Sequence, residues 1–184
     1  MLTKSLRFLP LIILSGLILL LSKGLMENPK NLRSALIQQP LPPFHQQDLL
    51  APDKQLDQTT LPRDFYLINI WGSWCDYCKK EWPFLMALAQ QKVKIVGLNY
   101  RDQRKNAVKM LQQLGNPFLL NIYDFNGKVA LTLGVNGTPE TYLINPKGIV
   151  LLRYSGELTP QVWQQQFLPK ITCDQTSAKE KPKC

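Results

Sequence analysis

Histidine is nearly missing from this chain: His45 stands alone in 184 residues, and there are only four cysteines. A structural zinc site built on Cys75 and Cys78 would need a second ligand pair. Cys173 and Cys184, with no histidine near them, do not supply one. Covalent haem attachment is excluded by Lys79, which stands where C-x-x-C-H needs its histidine. Neither a metal nor another cofactor is expected. Acidic residues are scarce too, 13 against 22 basic ones, for a net charge of +9. Much of the surplus lies at the two ends, in Lys4, Arg7, Lys23, Lys30 and Arg33 and in Lys170, Lys179, Lys181 and Lys183. Basic ends without further pattern stay solvated or lie near anionic lipid, so no nucleic-acid partner is expected. What is present, 45% hydrophobic and 19% charged residues, suits one domain with a sizeable core and short appendages.

The chain opens with Lys4 and Arg7 and then Phe8 to Leu21, an apolar run interrupted only by Pro10, Ser15 and Gly16. It reaches Met26 if Lys23 snorkels toward headgroups. No A-x-A cleavage site follows, and Ser22-Lys23-Gly24 is a poor substitute. Residues 1–26 therefore read as a retained transmembrane signal anchor rather than a cleaved signal peptide. Positive charge flanks both ends of the run and does not set its orientation. Residues 27–43 are polar and end in Gln38-Gln39-Pro40-Leu41-Pro42-Pro43, which suits an extended linker. Residues 44–169 then form the folded domain, and residues 170–184 a basic flexible tail.

Within the domain, strand and helix signals alternate. Phe44 to Leu50 suits a first strand or hairpin arm, with His45 on the surface. Phe65 to Trp71 is an apolar run rich in strand formers, stopped by Gly72 and Ser73. A helix begins near Cys75 and runs to about Gln91, with a bend expected at Pro83. Val93 to Tyr100 follows as a strand, then Arg104 to Leu114 as a helix with Ala107, Val108, Leu111 and Leu114 on its apolar face, stopped by Gly115-Asn116-Pro117. Phe118 to Tyr123 reads as a strand, Asp124 to Gly127 as a turn, and the stretch near Val129 to Leu133 as a short helix. Thr141 to Asn145 and Ile149 to Tyr154 make a hairpin through Pro146-Lys147-Gly148, and Thr159 caps a last helix from Pro160 to about Leu168. This order implies an α/β sandwich with a mixed central sheet flanked by helices.

The strand-to-helix junction carries the chemistry. Cys75 at a helix N-terminus meets backbone N–H groups and the positive end of the dipole, which lowers its pKa from ~8.5 into the range of about 3.5 to 7.5. Cys78, one turn on, is close enough to close a disulfide with it and to resolve a mixed one. A static structural bridge also fits this spacing, although so short a loop gains little entropy from closure.

The motifs W-G-S-W-C-D-Y-C-K-K-E-W-P, V-G-L-N-Y-R-D and L-G-V-N-G-T-P-E-T-Y-L-I-N-P-K-G, in this order, resemble the DsbE/CcmG family, membrane-anchored thioredoxin-like thiol:disulfide reductases of c-type cytochrome maturation. The likeness covers roughly Leu41 to Pro169. It implies a thioredoxin-like fold and a cis peptide before Pro139, which sets the Thr138–Pro139 backbone against the cysteines. It also implies substrate contacts from Trp74, Thr138, Pro139 and Glu140. The implied location is the inner membrane, single-pass, with the soluble domain in the periplasm. The implied task is to keep the haem-binding cysteines of apocytochrome c, or a partner thiol protein serving them, reduced. Electrons would come from a membrane thiol reductase of the DsbD or CcdA kind. The alternatives are a general periplasmic disulfide reductase or oxidase of the same fold, and a non-enzymatic adaptor of the cytochrome assembly machinery. The adaptor fits less well, because docking alone needs no thiols. A peroxiredoxin would need P-x-x-x-T-x-x-C, which is missing.

Three features depart from that family. Gly72 stands where it often has alanine, and Asp76-Tyr77 where a proline often lies between the cysteines. Asp76 beside a thiolate disfavours that anion, yet is itself well placed at a helix N-terminus, so its two effects on the site oppose each other. Cys173 and Cys184 have no counterpart; they are expected to close on each other with little consequence or to remain thiols in a disordered end. Proton handling also needs an answer. The thioredoxins that this chain resembles usually place an aspartate six residues before the first cysteine, where Asn69 stands. Glu81, one helical turn after Cys78, is expected to take the proton from that thiol, with partial burial raising its pKa. Glu140 is expected to contribute from the groove wall.

Overall fold

The computed structural model describes residues 13–17, 22 and 36–177 of a chain that falls into two compact units, Met1–Asn31 and Leu32–Cys184. In the first, the described residues are helical and Ile13, Leu14 and Leu17 are exposed. Among the described residues no helix is long and apolar enough to cross a membrane, and most of the expected anchor lies outside them.

The second unit begins with a small antiparallel hairpin, β1 (His45–Gln47) and β2 (Gln55–Asp57), then a 3-10 turn, Gln58–Thr60. Asp57 caps that turn and Thr60 returns the bond, as in a capping box. Next come β3 (Tyr66–Trp71), α1 (Asp76–Gln90), β4 (Lys94–Tyr100), α2 (Arg104–Leu114), β5 (Leu120–Asp124), α3 (Lys128–Thr132), β6 (Glu140–Ile144) and β7 (Val150–Ser155). A last helix, α4, runs through Pro160–Val162, a π-helical stretch Trp163–Phe167, and Leu168–Ser177. The sheet order is β5-β4-β3-β6-β7. Strands β3, β4 and β5 run parallel, and β6 and β7 join antiparallel, so the mixed sheet expected from the sequence is present.

All six residues of β3 are buried because helices or loops cover both faces of the sheet, and such a strand reads as a continuous apolar run. Leu67 and Trp71 pack with Leu85 and Leu88 of α1, Ala107 and Leu111 of α2 and Phe167 of α4. Ile68 and Ile70 pack with Ala130 of α3, Leu56 and Leu61. α1 continues through Pro83, and α2 ends where Gly115 takes φ 83°. Arg104 fastens the hairpin to α2: it donates to the carbonyls of Asp48 and Leu49 and lies 4.1 Å from the centre of the Tyr123 ring.

Two stretches differ from the sequence reading. Residues 36–43, expected as linker, lie against the domain: Gln38 N donates to Val150 O at 2.8 Å, Leu41 N to Gly148 O at 2.9 Å, and Pro40 bridges Ile149. Leu36, Ile37, Leu41 and Phe44 pack on the core under the sheet, and proline is tolerated beside an edge strand because its missing N–H is not needed there. The last helix runs on to Ser177, past the expected end near Leu168, and Asn145 Nδ2 donates to Asp174 at 3.2 Å. Thus the first part of the expected flexible tail is helical. Residues 178–184, Cys184 among them, lie outside the described residues.

Candidate active site

Cys75 is the N-cap of α1, in extended conformation (φ −92°, ψ 110°), and its Sγ accepts from Cys78 N at 3.1 Å. The two cysteines form a disulfide with Cα atoms 5.3 Å apart. Cys78 is fully enclosed and Cys75 is 5% exposed, so the outer sulfur is the one that anything in solution can approach.

What holds the junction rigid was not found in the sequence. Asp102, 3% exposed, accepts from Ser73 N at 2.6 Å, Ser73 Oγ at 2.8 Å and Asn99 Nδ2 at 3.0 Å, tying the cysteine loop to the end of β4. The V-G-L-N-Y-R-D motif contains it, but only the parallel pairing of β3 with β4 shows what it touches. Beneath the loop, the rings of Trp71, Trp82 and Phe118 meet with centroids 5.2 to 5.6 Å apart. A Cβ on Gly97 would come within 2.8 Å of Phe118 and Trp71, so only glycine fits there.

Glu81 is 1% exposed. Its carboxylate accepts from Asn69 Nδ2 at 2.8 Å and from Leu158 N at 2.6 Å, and Asn69 also donates to Thr141 Oγ1 at 3.1 Å. Burial pushes the Glu81 carboxyl up to about 7, with nearby Glu157 adding to the rise and the two hydrogen bonds opposing it. Asn69, the residue in the place of the expected aspartate, therefore serves as a donor to Glu81.

The peptide bond between Thr138 and Pro139 is cis. Because Ile70 pairs with Glu140, Pro139 sits where Trp71 leaves β3 toward the cysteines. Pro139 O accepts from Gly156 N at 2.9 Å, while Thr138 is half-buried. Glu140 is not in the groove wall as the sequence suggested. Strand alternation turns it to the opposite face of the sheet from Glu81, where it is 1% exposed and forms a two-pronged ion pair with Arg153 at 2.9 and 3.0 Å. It also accepts from Asn136 N at 3.1 Å, so it braces the loop before Pro139 from within.

Around Cys75 the surface is aromatic and charged. Trp74 is 53% and Tyr77 60% exposed, with Lys80 Nζ 4.6 Å from the centre of the Tyr77 ring. Asp76 pairs with Lys79 at 2.9 Å, which lowers its pKa and directs its charge toward a lysine on the helix surface. His45 is exposed on β1 as expected. Among the described residues no group of histidine, cysteine, aspartate or glutamate could hold a metal ion. Cys173 is disulfide-bonded. Replacing Cys173 and Cys184 together is expected to leave the rate of disulfide reduction unchanged in a turbidity assay, and a large loss would make the tail a second redox relay.

A buried disulfide at the start of a helix, beside a cis-proline loop on a mixed sheet, defines a thiol:disulfide oxidoreductase of thioredoxin-like fold. The Redoxin family profile matches residues 37–165. The chain is 55% identical over 163 residues to the probable thiol:disulfide interchange protein DsbE-2 of Pasteurella multocida, covering 89% of this chain and 86% of that one. It is 41% identical over 145 residues to the thiol:disulfide interchange protein DsbE of Escherichia coli, 78% of each chain. Among solved structures, a secreted thiol-disulfide isomerase from Corynebacterium glutamicum superposes with a TM-score of 0.65 at 20% identity, over 80% of this chain and 96% of that one. A putative DsbE from Chlorobium tepidum gives 0.60 at 25% identity, over 72% and 95%. The chain belongs to the DsbE family of thiol:disulfide interchange proteins, within the Redoxin group.

Proposed function

We propose that the protein is a reductant of the periplasm, held at the inner membrane by residues 1–26, that keeps the haem-binding cysteines of apocytochrome c, or of a thiol protein serving them, reduced. The observation that carries this reading is the asymmetry of the pair: Cys75 caps the helix and reaches the surface, while Cys78 lies enclosed in the same turn as Glu81. In the reduced protein the Cys75 thiolate attacks a substrate disulfide and forms a mixed disulfide, and one substrate sulfur leaves as thiolate. The Cys78 thiol then passes its proton toward the Glu81 carboxylate and attacks Cys75 Sγ, releasing the second substrate sulfur. Two electrons have moved to the substrate, and the protein holds the Cys75–Cys78 disulfide seen here. A carboxyl with a pKa of about 7 is matched to accept a proton near neutrality. The backbone of Thr138 is the strand with which an extended substrate pairs, Trp74 contacts that substrate from the other side, and a membrane thiol reductase of the DsbD or CcdA kind returns the electrons.

Replacing Cys78 by serine is expected to trap a mixed disulfide through Cys75 with an oxidised C-x-x-C-H peptide, read by mass spectrometry. Faster alkylation of Cys78 than of Cys75 in the reduced protein at neutral pH would reverse the assignment. In the host, removing the protein is expected to lower covalently haem-bearing cytochrome c, with rescue by the parent and not by Cys75→Ser. Unchanged haem attachment would leave a general disulfide reductase.

A further inference from the structure

At the end of β3 farthest from the cysteines lies a cavity of about 300 Å³ that no step of the redox chemistry uses. Tyr66 opens β3 and Trp71 closes it, so about 17 Å of strand separates the two ends. Tyr66 lines the cavity, together with Pro40 of the segment that docks on the domain, Arg63 of the loop before β3, and Pro146, Lys147 and Gly148 of the turn between β6 and β7. Tyr66 is 2% exposed. Among the described residues its hydroxyl has no hydrogen-bond partner, yet it is not one of the polar atoms sealed from solvent, so it opens into the cavity. Burial pushes the phenol up, which keeps its O–H in place as a donor. Arg63 and Lys147 are exposed and make no ion pair among the described residues, and no acidic residue lines the cavity. Asp64, next to Arg63, is already engaged by Lys94 at 3.1 Å. A buried donor without a partner and two unpaired cations around one hollow make a cradle for an anion.

The place of this cavity along the chain says which anion. Gln38 N donates to Val150 O and Leu41 N to Gly148 O, so the chain that comes from residues 1–26 is fastened to the domain at this end. Residues 27–35 extend at most about 30 Å, which keeps the cavity within reach of a bilayer that holds residues 1–26, and they carry Lys30 and Arg33. Anionic lipid draws basic groups placed that close to it. We propose that the cavity binds the phosphate of an anionic lipid headgroup, with Arg63 and Lys147 on the charge, Tyr66 donating to a phosphate oxygen, and Pro40 and Pro146 against the glycerol carbons. This rests on the reading of residues 1–26 as a membrane anchor. The bound headgroup holds the domain at a second point, and the Cys75 end of β3 is then turned away from the bilayer, toward thiol proteins in the periplasm. A tether alone leaves the domain free to lie with Cys75 against the lipid.

The test follows hydrogen exchange of the amides of residues 147–149, by mass spectrometry, in the full chain carried by nanodiscs of phosphatidylcholine alone or mixed with phosphatidylglycerol. Phosphatidylglycerol is expected to slow this exchange about fivefold, and inorganic phosphate added to phosphatidylcholine nanodiscs is expected to have no effect. Tyr66→Phe removes only a hydroxyl that has no partner within the described residues, so the unfolding midpoint is expected to hold while the protection is lost. Arg63→Gln together with Lys147→Gln is expected to abolish it as well, and the rate on hydroxyethyl disulfide stays that of the parent in every variant. Equal exchange in the two kinds of nanodisc overturns the proposal. Protection that survives Tyr66→Phe shows a basic surface near lipid and no built site, and also overturns it. The same protection from inorganic phosphate makes the cavity a site for a small free anion, and the lipid assignment fails. The anchor is tested apart, by whether the chain enters phosphatidylcholine nanodiscs, which offer the cavity no net negative headgroup. If it does not enter them, phosphatidylglycerol vesicles added to the protein decide the cavity by the same exchange, with slowing in its favour and no slowing against it.

Discussion

Replacing Arg153 by alanine is expected to cost the domain about 3 to 5 kcal/mol, the range found when one member of a buried ion pair is removed. The side chains of Arg153 and Glu140 are 5% and 2% exposed, so no solvent screens the carboxylate left behind. Tyr142 Oη at 3.2 Å and Asn136 N at 3.1 Å remain beside it, and neither carries charge. Guanidinium unfolding checks the result: the midpoint falls while the slope holds, as it does when stability alone changes. Changing Glu140 and Arg153 together to methionine removes both charges and is expected to recover much of the loss, although the Asn136 N–H then lacks its acceptor. A loss below about 1 kcal/mol for Arg153→Ala would mean that the pair is no stronger than a surface one.

Glu81→Gln is expected to change how stability depends on pH. In the folded protein the Glu81 carboxyl sits at about 7, against 4.5 for the free group. The folded state therefore binds more protons than the unfolded state between these values, and stability falls as pH rises through that window. The difference corresponds to roughly 3 kcal/mol, complete above pH 7 and absent below about 4. Glutamine cannot ionise, so the variant loses this fall. It has one acceptor oxygen for two donors, Asn69 Nδ2 and Leu158 N, which lowers its stability by about 1 to 3 kcal/mol at every pH. The readout is therefore the change in the gap between parent and variant from pH 4 to pH 8, measured on the oxidised form. A constant gap would show that Glu81 titrates as an ordinary surface acid. On the reduced form, resolution of the mixed disulfide is expected to slow near neutrality with the fold intact.

The fold was legible where signals are local. The apolar run of β3, the break at Gly72-Ser73 and the spacing of Cys75 and Cys78 place the site, and the expected bounds of α2 match the observed helix to the residue, although Leu114 of its expected apolar face is exposed and Met110 is buried instead. Glu81 was found by helical spacing from Cys78, and its burial is what that spacing demands on a helix packed against a sheet. Other features depend on register and were hidden. Glu140 and Arg153 meet only because β6 and β7 pair with Glu140 near Ser155, and nothing local distinguishes Arg153 from a surface arginine. Asp102 lies far along the chain from Ser73. Residues 36–43 look like linker because prolines and glutamines dominate there, while the apolar residues that dock them, Leu36, Ile37, Leu41 and Phe44, follow no helical or strand period.

The bonds from Asp102 to Ser73 bear on more than the shape of the loop. They involve neither sulfur, so they persist whether the cysteines are joined or separate, and the loop has little reason to rearrange between the two states. The surface around Cys75 is then the same when the protein gives electrons as when it receives them. A substrate and an electron donor must both come to that one surface, and therefore they compete for it. Turnover becomes a matter of alternation: each partner has to leave before the other can arrive, and a partner that binds too tightly in either state slows the cycle as surely as one that binds too weakly.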